Sequence, residues 1–254
     1  MQVEIDDFFK PLKFKPLPVG IDYSKAEYYI QGASAFARAV HQCVYVIDYY
    51  KRGFIYVSDN PLFLCGETPA DVLKMGYQFY QKHVPPADLN MLLQINEAGF
   101  DFYYNLPPFE RLKYSISYDF HLIQPAKRHI LVNHKLTPLA LDNEQNIWLA
   151  LCVVTHSAAT KAGNINITKM GSNKLFEYNR ISKKWDAQKK IKLSNQEKEI
   201  LTLTIQGFTM GEIAKKLKIV EVTVKFHKKN IFKKLKVNNI TEAVASATNC
   251  NLFE

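Results

Sequence analysis

The chain has 254 residues, 47% apolar and 22% charged, and carries a net charge of +9. That length suits two domains better than one, and the composition excludes a largely disordered or low-complexity protein. No apolar run approaches the ~18 residues of a membrane span, and the acidic start MQVEIDDFFK lacks the basic-then-apolar order of an export signal.

Residues 1–42 read as an N-terminal arm and helix. Residues 11–18, PLKFKPLP, hold three prolines and are expected to be extended. Ser24 and Glu27 have capping-box spacing and open a helix expected to reach His41. Its stripe of Tyr29, Ala33, Phe36 and Val40 is suited to cover an open sheet face.

From Cys43 the period shortens to two. CVYVIDYYKRGFIYVSDN reads as two strands around a turn at Lys51-Arg52-Gly53. Short helices follow, over Asn60–Leu64 and from Thr68, where Pro69 takes the first helical position. Another runs from Asp88 to about Ala98. Three longer strands then span roughly 112–123, 128–139 and 147–156. In the first, Tyr114, Ile116, Tyr118, Phe120 and Leu122 share one face, and Ser115, Ser117, Asp119 and His121 share the other.

Two strands, short helices, then three antiparallel strands is the order of a PAS domain, and residues 43–157 resemble one. The local likenesses are Ser58-Asp59-Asn60, Gly66 to Leu73, and His83-Val84-Pro85-Pro86-Ala87-Asp88. The resemblance implies an α+β sensor domain, an antiparallel sheet with short helices, that houses a small-molecule ligand or dimerises. Tyr118, Phe120 and His134 are the candidates for lining a pocket. No cofactor is indicated: Phe63-Leu64-Cys65-Gly66 does not match the flavin-photoreceptor motif, and no histidine is placed as a haem ligand. The seven histidines read as core or rim residues rather than metal ligands, and Cys43, Cys65, Cys152 and Cys250 include no C-x-x-C pair. With no export signal and no disulfide framework indicated, a reducing cytoplasm is the expected compartment.

Residues 158–190 are expected to be a linker, with a hairpin of 164–169 and 174–179 around Gly171-Ser172-Asn173 and a lysine-rich approach to Ser194. The charge gathers here and beyond. Residues 183–254 hold 15 lysines against seven acids, while the rest of the chain is almost neutral. Such asymmetry points to a polyanionic partner for the last quarter.

Residues 191–254 read as an all-α unit of four short helices. Ser194 and Glu197, Thr209 and Glu212, and Asn239 and Glu242 each have capping-box spacing. Apolar stripes follow: Ile200, Leu201, Thr204 and Ile205; Ile213, Ala214 and Leu217; Val224, Ile231 and Leu235. Gly207 stands where a helix stops. The short turn Lys218-Ile219-Val220-Glu221 gives the middle pair helix-turn-helix spacing.

This stretch resembles the LuxR/GerE-type helix-turn-helix domain. The likeness runs over about 60 residues, through Leu193-Ser194, Glu197, Glu199-Ile200-Leu201, Gly207, Thr209, Glu212-Ile213-Ala214, Leu217 and Ile219. It continues through Thr223-Val224-Lys225, His227, Asn230-Ile231, Lys234-Leu235, Val237 and Thr241-Glu242-Ala243-Val244. It departs from the family at Val220, where a capping Ser is usual, and at Gln196 and Ile240, where Arg is usual. The resemblance implies a sequence-specific transcription regulator that binds double-stranded DNA as a homodimer. Lys225, Phe226 and Lys229 would face the bases, Lys228 and Lys233 the phosphates, and Thr223 and His227 would contribute at the helix start and flank. The fourth helix, with Ala243, Ala245, Ser246 and Ala247, would form the dimer contact, and RNA polymerase is a candidate partner.

A phosphoreceiver front domain, with Asp6-Asp7 and Asp48 as its acids, is disfavoured by the prolines at 11, 16 and 18. Lys135, 87 residues past Asp48, also lies too far along the chain for that fold. A small-molecule enzyme would need converging acid, base or nucleophile groups, and no such constellation is recognisable.

Overall fold

A computed structural model describes residues 3–12, 21–172, 174–189, 191–249 and 252–253. Most of the proline arm (residues 13–18) and Asn173 of the expected hairpin turn lie outside the described residues. The chain divides into two compact units, 1–188 and 189–254.

In the first unit, β1 (Cys43–Asp48) pairs antiparallel with β2 (Gly53–Val57). Next come α2 (Pro61–Leu64), α3 (Pro69–Met75), α4 (Gln78–His83) and α5 (Pro86–Tyr104), α1 (Ala26–Val40) having preceded β1. β3 (Tyr114–Gln124), β4 (Arg128–Leu141) and β5 (Ile147–His156) complete an antiparallel sheet in the order β2-β1-β5-β4-β3. This is the expected PAS-like fold. Its antiparallel sheet is unlike the parallel sheet of a phosphoreceiver.

Local chemistry explains the short helices. Asn60 accepts from the N–H of Leu62 at 3.0 Å. Thr68 and Asp71 form a complete capping box ahead of α3. The helix expected to end near Ala98 instead continues to Tyr104, because Phe100 and Tyr103 stay on its buried face. α4 carries no strong start signal and forms because Phe79 and Tyr80 bury against the sheet.

Both faces of β1 are covered, so all six of its residues are buried. Cys43, Tyr45 and Ile47 face the main core, with Phe54, Phe63, Phe79 and Phe120. Val44 and Val46 face the opposite layer, which α1 covers with Ala26, Ala33 and Ala37. α1 thus has the covering role expected of it, although Phe36 points outward at 41% exposure. Nor does Ser24 form the expected box with Glu27. Asp22 accepts from the Ser24 N–H, within a short 3-10 turn that precedes the helix.

The expected linker is largely sheet. β6 (Gly163–Lys169) pairs with β3, and β7 (Lys174–Asn179) with β6. β8 (Lys184–Lys189) extends the edge. Trp185 anchors it: its indole N–H donates to the Ala98 carbonyl at 3.2 Å, and its ring lies 5.5 Å from Phe102 and 4.9 Å from Tyr178.

The second unit contains α6 (Asn195–Ile205), α7 (Met210–Leu217), α8 (Glu221–Leu235) and α9 (Ile240–Asn249). Ser194/Glu197 and Thr209/Glu212 are complete capping boxes. Asn239 and Glu242 bond reciprocally, the Glu242 N–H donating at 2.9 Å. Gly207 adopts φ +86°, where a Cβ would be strained. Leu193, Ile200, Leu201, Ile213, Val224, Ile231 and Leu235 form the core. Among the described residues, no helix is long and apolar enough to cross a membrane.

Candidate nucleic-acid interface and core cavity

α8 turns by about 100° per residue, which puts Val224, Ile231 and Leu235 on one side, each buried. Lys225, Phe226, Lys229 and Lys233 project from the other side and are exposed, and Val222 joins them at 76% exposure. Among the described residues, none of these lysines forms an ion pair. The face therefore presents free ammonium groups around two apolar side chains.

The remaining candidates lie on the flanks. Thr223 and His227 are half-buried, and the His227 ring lies 5.7 Å from that of Phe226. Lys228, expected on the outer wall with Lys233, instead sits beside the core stripe. It is half-buried, and burial lowers its ammonium below the usual value.

Lys234 serves the scaffold. Its ammonium donates at 2.6 Å to Glu197, a carboxylate only 3% exposed, which also accepts from the Ser194 N–H at 2.7 Å. This ties α8 to the start of α6. Val220 has the extended φ, ψ of −87°, 152° that an N-cap requires, but its side chain offers no acceptor. Exposed at 67%, it adds to the apolar surface near the start of α8. Sequence reasoning passed over Val222, although its spacing of four from Phe226 places both on one helix face.

The small residues of α9 are only partly available for a dimer contact. Ala243 and Ala247 have no exposed surface and belong to the unit's own core, whereas Ala245 and Ser246 are half-buried. The expectation that all four form the contact is therefore corrected: a seam of Ala243 and Ala247 would require opening the core.

The first unit contains a cavity of about 60 Å³ between the sheet and α5. Tyr118 lines it. Phe120 and His134 do not: both are 1% exposed, packed behind it. His134 lies 4.8 Å, ring to ring, from Tyr118, and its Nε2 is 2.5 Å from the Tyr45 hydroxyl, itself 2.5 Å from that of Tyr80. Burial lowers the imidazole to about 3, so it is neutral at physiological pH. The cavity also reaches Tyr49, Tyr77, Tyr80, Tyr103, Asn96 and Phe8. Phe8 comes from the N-terminal segment, whose carbonyls at Val3 and Phe8 accept from the amides of Gln81 and Asn96. Among the described residues, no three metal-ligating side chains converge.

Residues 192–247 match the family described as bacterial regulatory proteins, luxR family. The transcriptional activator protein CarR of Pectobacterium carotovorum is 46% identical over 61 residues, 24% of this chain and 25% of that protein. The quorum-sensing regulator RhlR of Pseudomonas aeruginosa is 50% identical over 61 residues, with the same coverage. The match thus spans about a quarter of the length of these relatives. Among solved structures, the VqmA dimer of Vibrio cholerae aligns with 92% of this chain and 89% of its own at 14% identity and a TM-score of 0.34. The sequence match and the four-helix architecture together establish that residues 192–247 are a helix-turn-helix domain of the bacterial luxR regulatory family.

Proposed function

We propose that the chain is a one-component, sequence-specific DNA-binding transcription regulator. The unpaired lysine face of α8, displayed on a fully packed four-helix unit, is the observation that carries this reading. An α-helix fits the major groove of B-DNA, where lysine donates to guanine O6 and N7 and apolar groups meet thymine methyls. In this reading Lys225 and Lys229 contact bases, Phe226 and Val222 contact methyl groups, and Lys233 meets phosphate. Thr223, His227 and Lys228 support the helix from its flanks.

The PAS-like unit is the sensing or dimerising module. A small molecule bound there changes DNA binding only through unequal affinity for two arrangements of the chain. The protein works in the cytoplasm as a homodimer, is not an enzyme, and acts on transcription through access or contact of RNA polymerase at the bound site. The functions named for the luxR-family relatives support this reading at the level of the C-terminal domain.

Genome-wide mapping of bound sites tests it. The native chain should occupy a limited set of sites sharing a motif, and Lys225→Ala with Lys229→Ala should abolish that set while leaving the helical content intact. Uniform coverage by the native chain would instead indicate a DNA-bridging protein without site preference.

A further inference from the structure

The sheet face that carries the main core ends in a second recess, which shares no lining residue with the cavity beside α5. Side-chain alternation along three strands places it. On β4, Leu136 lines the cavity, His134 and Val132 are buried beyond it, and Ile130 and Arg128 line the recess. β1 runs in the same order through Ile47, Tyr45 and Cys43. β3 runs through Tyr118, then buried Phe120 and Leu122, then Gln124. α2 and its N-cap supply the opposite wall through Asn60, Pro61 and Leu62. That wall is fixed because the Gln124 amide donates to the Leu62 carbonyl at 2.8 Å. The recess is a cleft of about 530 Å³.

Its chemistry is one-sided. Arg128, His41 and His156 line it and are exposed, and no acidic side chain does so. Among the described residues none of the three forms an ion pair. Asn60 spends its side-chain oxygen on the Leu62 N–H, which leaves its amide N–H groups to donate. A guanidinium fork matches a carboxylate with two parallel hydrogen bonds. The basic groups also stand apart. His156 pairs with Val132, and His41 lies two residues before Cys43, the partner of Val154, so the two histidines are level across β1 and β5. Arg128 lies four residues along β4 from Val132, roughly 13 Å at ~3.3 Å per residue. Cys43, Leu62, Ile130 and Val154 give the cleft an apolar floor.

We propose that this cleft binds an elongated dianion, an aliphatic chain with a carboxylate at each end. Arg128 holds one carboxylate, His41 and His156 hold the other, and the chain lies over Cys43, Ile130 and Val154. A compact or singly charged anion engages only one end. Occupancy of the cleft does not require DNA recognition by α8.

Calorimetric titration of the full chain, without DNA, tests it with adipate as the probe and with butyrate and inorganic phosphate as controls. Adipate should bind with a Kd of about 1 mM or tighter, within what about ten heavy atoms supply. Butyrate, with one carboxylate, and phosphate, a compact anion, should each bind at least about 10-fold more weakly, the worth of one charged hydrogen-bonded end. Arg128→Gln should weaken adipate at least about 10-fold, and His156→Ala about 2- to 10-fold because His41 remains. Neither should lower the Tm of the free protein, since both side chains are exposed. The Lys225→Ala, Lys229→Ala variant should bind adipate as the native chain does. Adipate binding no tighter than butyrate or phosphate would overturn the proposal. So would an Arg128→Gln variant that binds adipate like the native chain, or loss of adipate binding in the α8 lysine variant. DNA affinity measured on the same samples keeps the two readings apart: absent adipate binding with intact DNA binding refutes only the cleft assignment.

Discussion

Replacing Glu197 with Gln should destabilise the helix-turn-helix unit by about 1.5 kcal/mol. The Glu197 carboxylate is buried and accepts from Lys234 at 2.6 Å and from the Ser194 N–H at 2.7 Å. Glutamine keeps an acceptor for Ser194 but loses the charge that Lys234 answers. Hydrogen bonds to charged groups contribute about 1.5–3 kcal/mol. The Lys234 side chain is 40% exposed, which moves the value to the lower end. Lys234→Met should cost about as much, because it strands a buried carboxylate. A double-mutant cycle should return a coupling of about 1–2 kcal/mol, well above the ~0.5 kcal/mol scatter seen for independent sites. Both tryptophans, Trp148 and Trp185, lie in the first unit, so their fluorescence cannot follow this change. Hydrogen exchange of α6 and α8 amides in the full chain can. Burial pushes the Glu197 carboxyl up, but the Lys234 ammonium and the Ser194 N–H outweigh it and hold the group below its ordinary 4.5. Its contribution is therefore complete above that value and is lost as pH falls below it, through the lowered native value. Additive single variants, or a stability difference between the native chain and Glu197→Gln that does not shrink as pH falls below 4.5, would refute the reasoning.

Three further outcomes follow from the same geometry. Val220→Ser places an acceptor on a backbone already in N-cap conformation, so α8 should gain about 0.5–2 kcal/mol by hydrogen exchange. Cys43 and Cys65 are buried, and burial pushes each thiol up to about 12; iodoacetamide should leave both unmodified in the native chain and label them in urea. His134 is held neutral by burial, at about 3 against an ordinary 6.5. The unfolded chain therefore binds the extra proton first, and stability should fall as pH drops below 6.5 towards 3, by a step that His134→Gln removes from the urea-unfolding profile.

What the sequence made legible was local chemistry. The Ser194/Glu197 and Thr209/Glu212 boxes and the αL glycine at 207 each act within four residues, and the Val224, Ile231, Leu235 spacing oriented α8. What it hid depends on distant contacts. Lys228 sits near the core stripe in angle, which a list of lysines does not show. Ala243 and Ala247 turn inward because the other helices meet α9 there. Residues 163–189 are polar enough to pass for a linker, and only Trp185, Phe176 and Tyr178 reveal that they pack on α5. Asp119 shares the polar face of β3 with Ser115, Ser117 and His121, yet it is 3% exposed. A register shift in the β3–β6 pairing and the amides of Asn133 and Asn164 enclose it. Among the cavity residues, Tyr118 was found from strand alternation, whereas Tyr49, Tyr77, Asn96 and Phe8 converge from four separate stretches of chain.

The central claim concerns α8 and duplex DNA, and a salt series tests it most directly. Affinity of the full chain for a mapped site and for a scrambled duplex should be measured alongside the Lys225→Ala, Lys229→Ala variant. Log affinity of the native chain should fall linearly with log salt, by about 0.9 per phosphate neutralised. The mapped site should be preferred, and the variant, folded and still salt-sensitive, should lose about 1–3 kcal/mol of that preference for each base contact removed. An affinity independent of salt, or a variant that discriminates the two duplexes as well as the native chain does, would contradict the account.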